Sequence, residues 1–185
     1  IVAASSIVMG LQTAVSREIS PFEPAVVTIG SFQAGNANNV IPQRAKLTGT
    51  VRTFSEAVQT QMEERLRRIV SGMASSYRCQ MEMKYIEQVP VLVSTDECVT
   101  HVMHVADDLL GKDKRVEAAP TMAGEDFSIY LKHVPGCFFW LGSGPQENAE
   151  QAYGLHHPKF RIHEECLKTG AALLAEVALR RGKSK

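Results

Sequence analysis

Over the first 85 residues the apolar spacing moves back and forth between the 3.6-residue period of a helix and the two-residue period of a strand, and that order restricts the fold more than any other feature. Ala4, Ile7, Val8, Leu11, Ala14 and Val15 make one helical stripe, which Pro21 and Pro24 end. Ala25 to Phe32 is β-rich, Ala34 to Asn39 is a Gly/Asn loop, and Lys46 to Phe54 alternates Leu47, Gly49, Val51 and Thr53 with polar neighbours. Ser55 is a cap candidate for a second helix carrying Val58, Met62, Leu66, Ile69, Val70 and Met73, after which Cys79, Met81, Met83 and Tyr85 alternate again. Helix, strand, strand, helix, strand is the order of a ferredoxin-like split β-α-β unit without its opening strand. That strand lies inside such a sheet, and its neighbours need it to satisfy their backbone groups, so the chain is expected to begin inside a domain.

Past Val89-Pro90-Val91 the pattern becomes one of alternating strands and helices. Ser94-Thr95-Asp96-Glu97 reads as a capping box for a helix with Val99, Val102, Met103, Ala106, Leu109 and Leu110 on its apolar face, closed by Gly111. A short strand near Val116, a helix over Asp126 to Lys132 and a fully buried strand at Cys137-Phe138-Phe139-Trp140-Leu141 are expected next. A last helix, about Glu164 to Arg181, is expected to bury Leu167, Ala171, Leu174 and Ala178. The class is therefore α/β, with an α+β domain over residues 1–88 joined near Gln88 to Val91 to part of an α/β layer over residues 89–185.

Composition removes several functions. Twenty basic residues against twenty acidic ones argue against a nucleic-acid partner, and no apolar run approaches the roughly 18 residues that read as a membrane helix. The start, Ile1-Val2-Ala3-Ala4, has none of the regions of a signal peptide and reads as a cut. Cys79, Cys98, Cys137 and Cys166 lie too far apart for C-x-x-C pairs, so they read as buried thiols in a reducing cytoplasm.

Three loops collect the unusual residues. Gly35-Asn36-Ala37-Asn38-Asn39-Val40-Ile41-Pro42 is open to plain turn chemistry, because Asn tolerates left-handed angles. In Met122-Ala123-Gly124-Glu125-Asp126-Phe127 the adjacent acids either complement a helix dipole or serve a site. Gly154-Leu155-His156-His157-Pro158-Lys159-Phe160 carries two imidazoles, and a neutral ring nitrogen is the commonest protein donor to divalent metals. Neighbours on an extended segment point to opposite sides, so only one of the two is expected to face a given cavity. His101, His104, His133 and His163 sit in helix-like contexts that suit solvated or capping roles. No nucleophile elbow, P-loop or dinucleotide glycine pattern is present.

Taken together, these loops resemble the dinuclear-metal peptidases and amidohydrolases, a family that includes aminoacylases, hippurate hydrolase, indole-acetyl-amino-acid hydrolases and glutamate carboxypeptidases. The resemblance rests on Val26-Val27-Thr28-Ile29-Gly30 leading into the Gly35 to Pro42 loop, on Leu47-Thr48-Gly49-Thr50-Val51-Arg52-Thr53-Phe54, on Met122 to Phe127 and on Leu155 to Phe160, all in family order. It implies an aminopeptidase-like catalytic domain interrupted by a lid that also forms a homodimer interface, with residues 1–88 as most of the lid and 89–185 as the C-terminal return of the catalytic domain. It further implies His156 as a metal ligand, with His157 in no ligand position. Asn39 and Arg52 are implied as lid residues that hold the substrate carboxylate or amide oxygen, and Glu125 as an acid that orients a ligand beside the metals.

The family's remaining ligands and its general base precede the matched region and are not in this chain. The resemblance thus implies hydrolysis of an N-acyl amino acid or related small peptide by an intact enzyme holding two divalent ions (Zn, Mn, Co or Ni), with a chain that is inactive and without its metal pair on its own. The competing expectation is a dimerisation or binding module that kept the lid and lost the chemistry.

Overall fold

The computed structural model describes residues 1–144 and 152–183. The described elements are helices α1 (Val2–Leu11) and α2 (Thr13–Ser16), strands β1 (Ala25–Ala34) and β2 (Ala45–Thr53), then helices α3 (Glu56–Ser76), α4 (Asp96–Leu110), α5 (Phe127–Leu131) and α6 (Glu165–Lys183). A 3-10 turn at Lys112–Lys114 follows α4. The chain divides into two compact units, one of residues 1–92 with 121–128 and the other of 93–120 with 129–185. Segment 121–128 thus groups with the first unit although it follows the boundary expected near residue 88.

In the first unit the helices pack on one face of an antiparallel β1–β2 hairpin, in the order the spacing predicts. Ser55 caps α3 by accepting a hydrogen bond from the Val58 amide, and Val58, Met62, Leu66 and Ile69 are buried against Leu11, Ala14 and Val27. Each such side chain contributes on the order of 1.5–3 kcal/mol of burial. α1 reaches α3 closely because Gly10 has no side chain: a Cβ there would stand 2.7 Å from Met73 Cε. Gly49 is fixed more stringently, since its Cβ would meet the Thr28 carbonyl oxygen at 2.2 Å beside the register shift between Ile29 and Ser31.

Three expected strands do not form. Residues 79–85 keep the alternation, with Met81, Met83 and Tyr85 half-buried between exposed neighbours, yet pair with no strand among the described residues. Their extended course is held by α3 side chains: Arg67 Nη1 donates to the Met83 carbonyl (3.4 Å), and a little further on Gln59 Nε2 donates to Val89 (3.1 Å). Burial of Tyr85, with Glu87 and Glu63 nearby, pushes its phenol up from the ordinary value. Val116 is 85% exposed and lies in no strand.

The expected buried strand at Cys137 to Leu141 is instead an irregular segment in which Trp140 is 45% exposed. It is fastened by residues assigned to a capping box, which does not form. The Thr95 amide donates to the Gly136 carbonyl (2.8 Å), Thr95 Oγ1 accepts from the Gly136 amide (3.3 Å), and Ser94 Oγ accepts from the Phe138 amide (3.0 Å). Both hydroxyls are turned to this neighbouring segment, and α4 has no side-chain cap.

The second unit is built on α4 against α6. His101 Nε2 meets the Val177 carbonyl at 3.0 Å, Val105 and Leu173 are buried, and a Cβ on Gly170 would stand 2.8 Å from Leu141 Cδ2. This corrects the orientation expected for α6. Ala171 and Ala178 are exposed, as are Leu167 and Leu174 at 58% and 59%, while Gly170 and Leu173 face inward. No helix of the described residues is long and apolar enough to cross a membrane.

Candidate functional site

Arg52 is the penultimate residue of β2, opposite Val26 in the ladder, so its position follows from the hairpin register. Its Nη1 donates to the Met122 carbonyl at 2.9 Å, tying the strand to a segment 70 residues later. The approach is open because of Gly124, where a Cβ would stand 3.2 Å from that same nitrogen. The Met122 to Phe127 motif is thereby brought to Arg52 within one compact unit.

Glu125 is half-buried in this segment, and its carbonyl accepts from the Ser128 amide (3.2 Å) and from Ser128 Oγ (2.6 Å), which starts α5. With Arg52 Nη1 engaged by a backbone carbonyl, the Nε and Nη2 edge of the guanidinium is the one suited to grip a carboxylate through two parallel bonds.

Asn39 is exposed in the loop that closes the hairpin. The ladder runs from Ala34↔Ala45 at that loop to Ala25↔Thr53 beside Arg52, so the strands carry the two residues' segments apart by roughly 25 Å at about 3.3 Å per residue. The hairpin joins Arg52 to the Glu125 segment and places Asn39 at its other end. A cavity of about 200 Å³ lined by Phe22, Glu23, Pro24, Phe54 and Ser55 contains none of the candidate residues.

His156 belongs to the second unit and, among the described residues, is one of two non-glycine residues with positive φ, at 69°. That conformation costs an L-residue about 1–2 kcal/mol, so its surroundings must hold it. It is the third residue of a turn closed by the His157 amide on the Gly154 carbonyl (3.2 Å), and a second turn through Pro158 closes with the Phe160 amide on the His157 carbonyl (2.9 Å).

The ring of His157 is committed. Its Nδ1 accepts from the Lys159 amide at 3.1 Å, and its face stacks on Tyr153 with centroids 4.2 Å apart and planes 11° from parallel. An accepting Nδ1 places the proton of the neutral ring on Nε2, so His157 has no lone pair left for a metal in this conformation. His156, exposed beside it, keeps that capacity. Tyr153 was outside the motif recognised in the sequence; an aromatic residue immediately before the Gly154 turn was the available signal.

The chemistry of His156 suits one position of a metal centre. Among the described residues no group of three or more His, Cys, Asp or Glu is arranged to hold an ion, so they do not by themselves assemble a complete ligand set around His156. Cys137 is not an activated nucleophile: burial pushes its thiol above its ordinary value against the smaller opposing effect of a Ser94 hydrogen bond.

Comparison with known proteins gives a consistent result. The model of peptidase family M20/M25/M40 matches residues 7–180. The chain is 38% identical over 189 residues to IAA-amino acid hydrolase ILR1-like 2 of Arabidopsis thaliana, covering 100% of this chain and 42% of that protein. It is 38% identical over 179 residues to N-acetylcysteine deacetylase of Bacillus subtilis, covering 97% and 45%. Among solved structures it resembles the Bacillus subtilis YXEP protein, described as a dinuclear metal binding peptidase, with a TM-score of 0.78 and 32% identity over 100% of this chain and 46% of that one. The chain therefore spans a little under half the length of the relatives it matches.

Proposed function

Because the chain belongs to peptidase family M20/M25/M40, we propose that it is the lid and C-terminal portion of a metal-dependent amidohydrolase that cleaves the amide bond of N-acyl amino acids or related small peptides. The observation that carries this reading is the Arg52 to Met122 bond, which gathers two separate family motifs around one guanidinium. The names of the relatives, an amino-acid conjugate hydrolase and a deacetylase of an N-acetylated amino acid, agree with a small acylated substrate bearing a free carboxylate.

In this reading Arg52 and Asn39 hold the substrate, Glu125 orients a neighbouring ligand, and His156 is a metal ligand. Residues 1–88 pair with a second copy, which gives Asn39, at the far end of its own hairpin, another protomer's substrate to reach. Two divalent ions (Zn, Mn, Co or Ni) supply an acidified water when bound. The remaining ligands and the general base belong to an N-terminal portion. The apolar face of α6 carrying Leu167 and Leu174 is a surface for that portion to cover. A cytoplasmic setting agrees with four free cysteines.

Arg52 serves the reaction by fixing the substrate carboxylate, so that binding energy from a non-reacting group orients the scissile amide. The test is hydrolysis of an N-acetyl-amino-acid panel by the whole enzyme, with metal removed and restored. Metal-dependent release of acetate with a requirement for the free carboxylate supports the reading. A whole protein that dimerises but hydrolyses nothing with metal restored would instead be a binding module.

A further inference from the structure

The turn around His156 contains more fixing interactions than chain reversal needs. A left-handed histidine, a stacked Tyr153–His157 pair, an Nδ1 acceptor engaged by the Lys159 amide and the Lys159 ammonium 5.7 Å from the Tyr153 ring centroid all fall within seven residues. All three side chains are exposed, and Tyr153 is 40% exposed, so burial in a core does not account for the arrangement.

We propose that Tyr153, His157 and Lys159 form a clamp that holds the His156 backbone in its left-handed conformation and so fixes the direction of the imidazole read as a metal ligand. His157 is a positioning residue: its Nδ1 ties down the residue after Pro158, and its ring, braced by Tyr153, prevents the Gly154 to His157 turn from relaxing. The ammonium of Lys159 over Tyr153 adds a cation–π contact to the stack. The clamp also leaves the His157 proton on Nε2, so that the adjacent imidazole does not compete with His156 for the ion.

The inference rests on the reading of His156 as a ligand only where metal is concerned; the clamp itself is testable without metal. In the metal-free 185-residue chain, nitrogen-15 correlation spectra of the imidazoles should show His157 as the Nε2–H tautomer with ring-current-shifted protons, and Tyr153→Ala should abolish that shift. An Nδ1–H tautomer, or a shift indifferent to Tyr153, overturns the clamp.

In the metal-loaded holoenzyme His157→Ala should weaken binding of one Zn²⁺ by about 10- to 100-fold, the range for residues that orient a ligand, and alter the visible spectrum of the Co²⁺-substituted protein. His157→Asn, whose side-chain oxygen also accepts from an amide two residues on, should restore part of the affinity. Affinity within twofold of wild type for His157→Ala, or no rescue by Asn, overturns the positioning role. Retention of both metals by His156→Ala would instead remove the ligand reading while leaving the tautomer result standing.

Discussion

Arg52 Nη1 and the Met122 carbonyl oxygen lie 2.9 Å apart, and this bond joins the end of β2 to a loop that follows it by 70 residues. A guanidinium anchored in this way offers its other edge in a fixed direction, which an ammonium on a flexible stem does not reproduce. Arg52→Lys in the whole enzyme is therefore expected to lower kcat/KM by roughly 10- to 100-fold, the equivalent of about 1.5–3 kcal/mol for a hydrogen bond to a charged group. Steady-state kinetics on an N-acetyl amino acid measures this, and unchanged kinetics would reduce Arg52 to a structural tie.

The same strand depends on Gly49. A methyl group there would stand 2.2 Å from the Thr28 carbonyl oxygen, and neither backbone can yield without disturbing the ladder that positions Arg52. Gly49→Ala should destabilise the first unit by about 1–3 kcal/mol, as overpacking does. Gly30→Ala, with open space around its Cβ, gives the comparison in thermal unfolding. Equal melting temperatures for the two variants would mean that the close approach is not maintained in solution.

The two faces of α6 make opposite predictions. Leu173 is 4% exposed and Leu174 is 59% exposed, so in the isolated chain Leu173→Ala should cost about 2–5 kcal/mol and Leu174→Ala less than about 0.5 kcal/mol. In the whole protein Leu174→Asp should become destabilising, because the proposed N-terminal portion covers that face. Denaturant unfolding of both forms decides this, and indifference of the whole protein to Leu174→Asp contradicts the proposed cover.

These outcomes separate what the amino-acid pattern revealed from what it left open. α3 was legible because Ser55, a clean 3.6-residue stripe and a polar opposite face all agree. In α6 the run Ala171, Ala172, Leu173, Leu174, Ala175 is apolar all round, so periodicity offered two faces, and partners distant in sequence, Leu141 and His101, selected the other one. Residues 79–85 showed their alternation but not their lack of a ladder, since pairing is a property of two segments.

At the candidate site, the spacing of His156 and His157 left one imidazole open to a ligand role without choosing it. The hydrogen bond from the Lys159 amide occupies Nδ1 of His157 and so favours His156 for the proposed role, and nothing local in the sequence announced that bond. The ties to Asn39, Arg52 and Glu125 came from resemblance, because exposed Asn and Arg in a hairpin carry no physical signature of their own.

Acid should loosen the end of α4. The Arg115 hydrogen bond and charge hold the Asp107 carboxyl below its ordinary value. A depressed folded-state value gives stability that is complete above the unfolded carboxyl value and is lost as pH falls through the folded one. Unfolding followed from neutral pH down to below the usual carboxylate range should therefore show a loss that Asp107→Asn removes and high salt reduces. An identical acid profile for the variant would show that the pair does not contribute.

The central claim is that His156 gives a dinuclear amidohydrolase one of its metal ligands. It is tested most directly by metal analysis of the whole enzyme and its His156→Ala variant, each assayed in parallel for N-acetyl-amino-acid hydrolysis. Two tightly held divalent ions per chain in the wild type, with loss of at least one ion and of turnover in the variant, is the predicted result. Two ions and undiminished turnover in His156→Ala would contradict the account.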